Sequence, residues 1–134
     1  MSKSRPLEKD IENAILKHLH AMGIFAWKNQ STGVFDPSSG LWRASNNPFH
    51  INGVSDILGI LPDGRFLAIE VKRPLKKKIR TQEDYFKASD STVSPEQKAF
   101  IRKINSLGGV GFFADNIDTV SNYLAVHLPK VEIQ

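Results

Sequence analysis

The sequence contains no cysteine, and its apolar runs are short. Without cysteine there can be no disulfide, no thiolate zinc site and no thiol nucleophile, which is compatible with a reducing compartment. No stretch approaches the roughly 20 apolar residues that span a bilayer, and residues 1–6 are polar, unlike a secretory signal. We therefore expect a protein without a membrane segment, located in the cytoplasm (the host cytoplasm if the source is a virus).

The length and the charge of the chain indicate how many domains and what kind of partner to expect. The chain has 134 residues and no break in composition, so we expect one domain over residues 1–134. Its net charge of +4 at pH 7 is weak evidence for a polyanionic partner. Between positions 72 and 80 there is no acid, and six residues are basic: Lys72, Arg73, Lys76, Lys77, Lys78 and Arg80. Such a run attracts phosphates, but it is equally typical of a solvated loop.

Apolar periodicity and turn residues predict the order helix, three strands, helix, strand, helix. The expected elements are a helix over 6–22, strands over 24–27, 56–61 and 66–72, a helix over 94–107, a strand over 110–114 and a last helix from 117. Ser94 as N-cap, Pro95 and Gln97 mark the start of the second helix, and Asp115 or Asn116 caps the last one. Residues 34–52 and 73–93 are expected to be irregular.

The two central strands carry the most informative residues. In a strand, side chains alternate between faces, so Ala68, Glu70 and Lys72 share one face. If residues 62–64 form a three-residue hairpin loop, counting outward sets Asp56 opposite Glu70. Directly opposed residues have Cβ atoms about 4.5–5.5 Å apart. Two carboxylates that close repel each other unless a cation lies between them.

This pair predicts a site for a hard cation, with Asp56 and Glu70 as oxygen ligands and the Val71 carbonyl as a third. In metal-assisted phosphodiester hydrolysis, Lys72 would position or deprotonate the attacking water, or balance charge in the transition state. No protein nucleophile is needed, in agreement with a chain that offers no cysteine and no obvious Ser-His pair. The alternative is a plain ion pair of Glu70 with Lys72, with Asp56 capping the hairpin.

The residues around Asp56, Glu70 and Lys72 resemble the PD-(D/E)XK nuclease superfamily and, within it, the VRR-NUC family of virus-type nucleases. The resemblance covers most of the chain apart from residues 34–52 and 75–93, and Ser55 stands where the superfamily pattern has Pro. The matching segments are Gly53-Val54-Ser55-Asp56, Ala68-Ile69-Glu70-Val71-Lys72-Arg73-Pro74, Ser94-Pro95-Glu96-Gln97-Lys98-Ala99-Phe100, Glu8-Lys9-Asp10-Ile11-Glu12 and Trp27-Lys28-Asn29.

The resemblance implies an α/β fold with a restriction-endonuclease-like αβββαβ core, in which helices flank a mixed central sheet. It also implies Asp56, Glu70 and Lys72 as active-site residues, with a glutamate on the first helix near the metal. Glu8 and Glu12 are both candidates for that glutamate, and Glu8 is favoured. Gln97 matches a glutamine that orients phosphate or water, although it is also the third residue of the capping box.

The function implied is a Mg²⁺- or Mn²⁺-dependent DNA endonuclease acting as a homodimer on branched DNA, such as four-way Holliday junctions or flaps. Two alternatives of other classes stay open: a non-catalytic nucleic-acid-binding module on the same fold, and a basic adaptor for another protein. The residues expected to contact DNA are Lys28, Asn29, Arg43, Arg73, Lys76, Lys77, Lys78 and Arg80.

Overall fold

The computed structural model describes residues 7–30, 34–43, 48–74 and 81–128, with the backbone alone for 34–36, 42 and 43. None of the helices in these ranges combines the length and apolar character needed to cross a membrane. In chain order the elements are α1 (Glu8–Ala21), β1 (Phe25–Lys28), β2 (Val34–Asp36), β3 (Leu41–Arg43), β4 (Ile57–Ile60), β5 (Phe66–Val71), α2 (Gln82–Lys87), α3 (Pro95–Ser106), β6 (Val110–Ala114) and α4 (Ile117–His127).

Four strands form a mixed sheet in the order β1-β4-β5-β6, and β2 and β3 form a separate two-stranded sheet. β4 is antiparallel to both β1 and β5, whereas β5 and β6 run parallel. The parallel pair is possible because α3 supplies the long crossover that such a pair requires. The chain therefore has an α/β fold, in which helices flank a four-stranded mixed sheet.

One face of this sheet packs against α1 and α4. Leu67, Ile69 and Val71 of β5 are completely buried there, together with Ile15 and Leu19 of α1. These helical residues are four apart and therefore lie on one side of α1. Burying this apolar surface is the main force that fixes α1 against the strands that carry the candidate site.

α2 and α3 cover only part of the opposite face. Ala68 of β5 and Phe113 of β6 are buried there with Tyr85 of α2 and Ile101 of α3. The rings of Tyr85 and Phe113 stack with their centroids 5.1 Å apart. The contacts of α3 are with β5 and β6, so its N-terminal turn lies next to the end of β5.

The expected helices and main strands are present, but two segments expected to be irregular are not. Residues 34–52 contain the β2–β3 hairpin, whose four-residue turn ends at Gly40 with φ +69°. Residues 73–93 contain α2, because Thr81 and Asp84 form a reciprocal capping box that starts a helix. At the last helix, Asn116 is the residue that caps α4.

Side chains bond to both edges of the sheet. On β6, the Asn105 amide exchanges two hydrogen bonds with the backbone of Gly111, and the Gln82 amide does the same with Phe113. On β1, Nε2 of His20 lies 2.9 Å from the carbonyl oxygen of Ala26. These backbone groups therefore have partners although they point away from the neighbouring strand.

Candidate metal centre

The two candidate acids lie where β4 begins and β5 ends. The ladder pairs Ile57 with Ile69 and Ile60 with Phe66. Extending this register by one position sets Asp56 opposite Glu70, as expected from the hairpin loop. Antiparallel pairing therefore brings two carboxylates to the same face of adjacent strands.

Glu70 is a buried acid whose two oxygens have different surroundings. Its side chain is 2% exposed. Oε1 accepts a hydrogen bond from the Gln97 amide over 2.9 Å and lies 3.9 Å from Nζ of Lys72. Oε2 is buried and accepts no hydrogen bond from any described residue. A buried polar oxygen without a partner is costly, so Oε2 retains unused capacity to accept a hydrogen bond or to contact a cation.

The surroundings of Glu70 affect the ionisation of its carboxyl. Burial raises the pKa of the Glu70 carboxyl from 4.5 to about 9, and the negative charge of Asp56 adds to this rise. The ammonium of Lys72 acts in the opposite direction but does not offset both effects. A nearby divalent cation would favour the carboxylate, because opposite charge stabilises the ionised form.

Asp56 and Val71 fix the geometry between the strands. Oδ2 of Asp56 accepts a hydrogen bond from the backbone N–H of Val71 over 2.8 Å. The next backbone N–H, that of Lys72, donates to the carbonyl oxygen of Ala114 on β6 over 2.9 Å. The end of β5 is thus held from both sides, which positions the Glu70 and Lys72 side chains.

Gln97 contacts both Glu70 and Lys72 in addition to capping α3. Its Oε1 accepts from the Ser94 backbone N–H over 3.1 Å, and its own N–H donates to Oγ of Ser94, completing the capping box of α3. The same Oε1 accepts from Nζ of Lys72 over 3.0 Å, while Nε2 donates to Glu70. Gln97 therefore caps the helix and also connects the acid to the amine.

The two glutamates of α1 differ in their surroundings. Burial raises the pKa of Glu8, with further contributions from the charges of Asp56 (raising) and Lys72 (lowering), so its carboxyl interacts with the candidate centre. Glu12 is more deeply buried, and its Oε1 lies 3.4 Å from Nζ of Lys28. That contact is an ion pair without hydrogen-bond geometry. The charge of Asp56 also raises the pKa of Glu12, so both glutamates interact with Asp56, whereas the charge of Lys72 acts on Glu8.

The donor set suits a hard cation only in part. Within the described ranges, no group of three or more His, Cys, Asp or Glu side chains is arranged to hold a metal ion. The available ligands are the paired carboxylates of Asp56 and Glu70, and one oxygen of Asp56 already accepts from Val71. Mg²⁺ is commonly bound by one or two carboxylates plus water and substrate phosphate, so two carboxylates with an open oxygen fit such an ion.

The residues expected to contact DNA are only partly described. The carbonyl oxygen of Asp56 accepts from the backbone N–H of Asn29 over 2.8 Å, which ties the end of β1 to the centre. Lys28 turns to the opposite face, toward Glu12. Arg73 follows Lys72 and is half-buried, and its charge lowers the pKa of Glu8. Outside the description are the Arg43 side chain and residues Lys76, Lys77, Lys78 and Arg80.

Gly53 serves the backbone geometry of the segment before Asp56. Its φ is +78°, and a Cβ there would lie 2.3 Å from the carbonyl carbon of Glu96. Only glycine lets the segment before Asp56 approach the first turn of α3 so closely. Gly53 therefore allows the segment that leads into Asp56 and β4 to pack closely against α3, the helix that contains Gln97.

Two further features lie away from these acids. Oγ of Ser121 lies 2.6 Å from Nε2 of His18, which corrects the expectation of no Ser-His pair; the contact connects α4 to α1. An open, largely apolar depression of about 540 Å³ lies at the other end of β5, beside Phe66, Ile104 and Leu107. Neither feature includes a residue of the candidate centre.

Comparison of the chain with models of known protein families and with characterised proteins gave no match. Function therefore has to be argued from the chemistry of the site.

Proposed function

We propose that this chain is a divalent-metal-dependent DNA endonuclease with the restriction-endonuclease-like core of the PD-(D/E)XK superfamily, similar to the VRR-NUC nucleases. One observation carries the proposal. Glu70 is a buried acid next to Asp56, one of its oxygens accepts no hydrogen bond from the described residues, and an amine lies beside the other. A purely structural ion pair would not require a second carboxylate at this position.

In the proposed mechanism, Asp56 and Glu70 would hold Mg²⁺ or Mn²⁺, and the Val71 carbonyl would be a further ligand. When bound, such an ion polarises the scissile phosphate and lowers the pKa of water. Lys72 orients the attacking water and offsets the negative charge that develops on the phosphorane. Its ammonium is held for this task by the 3.0 Å hydrogen bond to Gln97.

Gln97 and Glu8 complete the proposed set of residues. Gln97 bonds to both Glu70 and Lys72, so it keeps the acid and the amine in a fixed relation. Glu8 extends the acidic surface from α1 and can hold a water of the cation through its carboxylate. Glu12 is the weaker candidate, because its carboxylate already pairs with Lys28.

The proposed substrate is DNA with branched structure, such as a four-way junction or a flap, and the active form is a homodimer. Each chain supplies one pair of acids, so incision of two strands requires two chains or two encounters. Sedimentation velocity on the protein with and without a four-way junction tests the dimer directly.

The decisive experiment combines metal binding with cleavage. Calorimetric titration with Mn²⁺ should show binding to the wild-type protein and none to Glu70→Gln. Glu83→Gln is the matched control, because Glu83 is an exposed surface acid and should bind and cut like the wild type. Plasmid, flap and four-way-junction DNA are then incubated with Mg²⁺, and Glu70→Gln, Asp56→Asn and Lys72→Ala should each lose at least about a hundredfold in rate.

Wild-type binding of DNA without cleavage of any of these substrates, in Mg²⁺ and in Mn²⁺, would overturn the nuclease and favour the non-catalytic binding module. Equal cleavage by wild type, Asp56→Asn and Lys72→Ala would show that the centre lies elsewhere.

A further inference from the structure

Four large apolar side chains lie uncovered on the sheet: Phe25 and Trp27 of β1, Ile60 of β4 and Phe66 of β5 are 70%, 38%, 44% and 37% exposed. We call them the apolar strip. The helices on this face contact β5 and β6, so none of the described helices covers the β1–β4 half. An antiparallel sheet that faces water normally presents polar side chains, so the strip indicates a binding surface.

The register sets the strip on the same face as the candidate acids. Phe25 pairs with Ile60, and Trp27 pairs with Leu58. Leu58 is two positions from Asp56 and therefore points to the same side. From strand geometry, the Cα atom of Trp27 lies about 8 Å from that of Asp56. A chain bound along the strip would thus lead directly into the centre.

The chemistry of the strip favours flat aromatic ligands. The rings of Phe25 and Trp27 lie with centroids 5.4 Å apart and planes tilted by 59°, so they offer two differently oriented ring surfaces. Aromatic side chains on an open sheet face are a common platform for unpaired bases, whose π faces stack on them regardless of sequence. β1, β4 and β5 contain no acid except Glu70, so these strands add no negative charge along the strip until it reaches the candidate centre.

We propose that the apolar strip binds the unpaired bases of a single-stranded DNA segment beside the scissile phosphate. This inference rests on the proposed nuclease function and specifies its substrate: DNA whose strand is unpaired next to the cut. Stacking on Trp27 and Phe25 holds that strand, while Asp56 and Glu70 hold the cation at the phosphate that follows.

A second copy of this chain is the competing occupant. It would have to bind to the apolar strip, which lies beside Asp56 and Glu70 on the same face of the sheet. A chain bound there would obstruct the approach of any substrate to the two acids. Stacked bases extend toward the acids without blocking them, so the continuity of the strip with the candidate centre favours DNA.

The test uses Trp27 as its own reporter. The chain has two tryptophans, so Trp42→Phe leaves Trp27 as the fluorophore. The protein is titrated with a short oligodeoxythymidylate in EDTA, where no metal-dependent cleavage occurs. We expect quenching of Trp27. The Kd of every variant is measured by the anisotropy of a fluorescently labelled oligodeoxythymidylate, and it should rise about tenfold in Trp27→Ala. A blunt duplex of equal length should quench little. Val126→Ala, an exposed apolar residue on α4, is the matched control and should leave the Kd unchanged.

Trp27→Phe should retain most of the affinity, since it keeps a ring. Phe25→Ala, which removes the other ring of the strip, serves as the test variant if Trp27→Ala fails to fold. Absence of quenching together with an unchanged Kd in Trp27→Ala and in Phe25→Ala overturns the inference, even if cleavage of branched DNA is found. A concentration-dependent dimer that Trp27→Ala dissociates overturns it in favour of the second copy. Quenching without cleavage in Mg²⁺ would instead contradict the nuclease and leave the stacking surface intact.

Discussion

The side-chain amide of Gln97 donates to one carboxylate oxygen of Glu70 over 2.9 Å, and the other oxygen of that carboxylate accepts no hydrogen bond from the described residues. Glu70 is therefore oriented by a helix yet incompletely satisfied. This combination of fixed position and open bonding capacity is what a ligand to a cation needs, and it has consequences for the protein without metal.

The first prediction concerns stability against pH in EDTA. The folded pKa of Glu70 is raised from 4.5 to about 9, so the folded state holds a proton that the unfolded state releases. The resulting stabilisation is complete below pH 4.5 and is lost progressively as the pH rises toward 9. The free energy of unfolding should therefore fall over this range, by at most about 1.4 kcal/mol per pH unit from this group.

Urea unfolding of wild type, Glu70→Gln and Glu83→Gln across this pH range measures the effect. Glu70→Gln should flatten the dependence, because its amide does not ionise, whereas Glu83→Gln should keep the wild-type slope. Equal slopes in all three proteins would contradict the raised pKa.

The arrangement of the acids followed from the sequence because it depends on short-range rules. The turn at Pro62, Asp63 and Gly64 fixed the register of β4 and β5, and the strand period then fixed the faces. The observed pairing of Ile57 with Ile69 is the one that this count requires. Local turn geometry thus predicted which side chains oppose each other before any tertiary contact was considered.

The second prediction separates backbone strain from steric contact at glycine. Gly53 and Gly64 both have positive φ, but only at Gly53 would a Cβ meet other atoms, 2.3 Å from the backbone of Glu96. Gly64→Ala should cost about 1–2 kcal/mol from φ alone. Gly53→Ala should cost clearly more and should also weaken Mn²⁺ binding, since Asp56 and Gln97 would be pushed apart.

Chemical denaturation and Mn²⁺ calorimetry on the two variants provide the measurement. Equal stability losses, or a Gly53→Ala protein that binds Mn²⁺ like the wild type, would show that the contact with α3 does not hold the centre together.

The third prediction distinguishes the two roles of Gln97. Ser94→Ala removes the N-cap and should cost about 1 kcal/mol of stability while cleavage is retained. Gln97→Ala should cost a similar amount and also reduce kcat, because Glu70 and Lys72 lose the amide that joins them. Urea unfolding and junction cleavage by the two variants separate capping from positioning; loss of activity in Ser94→Ala to the same degree would mean that helix stability alone explains the effect.

Other features of the fold and the site could not be predicted from the sequence, because they depend on short elements or on tertiary contacts. The α2 helix had a readable signal in Thr81 and Asp84, which are spaced as a capping box, but six residues are too few for a clear apolar period. The bridge from Gln97 to Glu70 joins positions 27 apart, and the contact of Gly53 with Glu96 joins a loop to the first turn of a distant helix. Such contacts depend on tertiary packing, which local propensity does not contain.

The hydrogen bonds that Gln82 and Asn105 make to β6 affect the tendency of this edge strand to pair with strands of other protein molecules. An open edge strand invites pairing with a foreign strand, which is one route to aggregation. Here two side-chain amides already occupy the outward donors and acceptors of Phe113 and Gly111. An incoming strand would have to displace both, so this margin of the sheet resists strand addition even when the protein is concentrated.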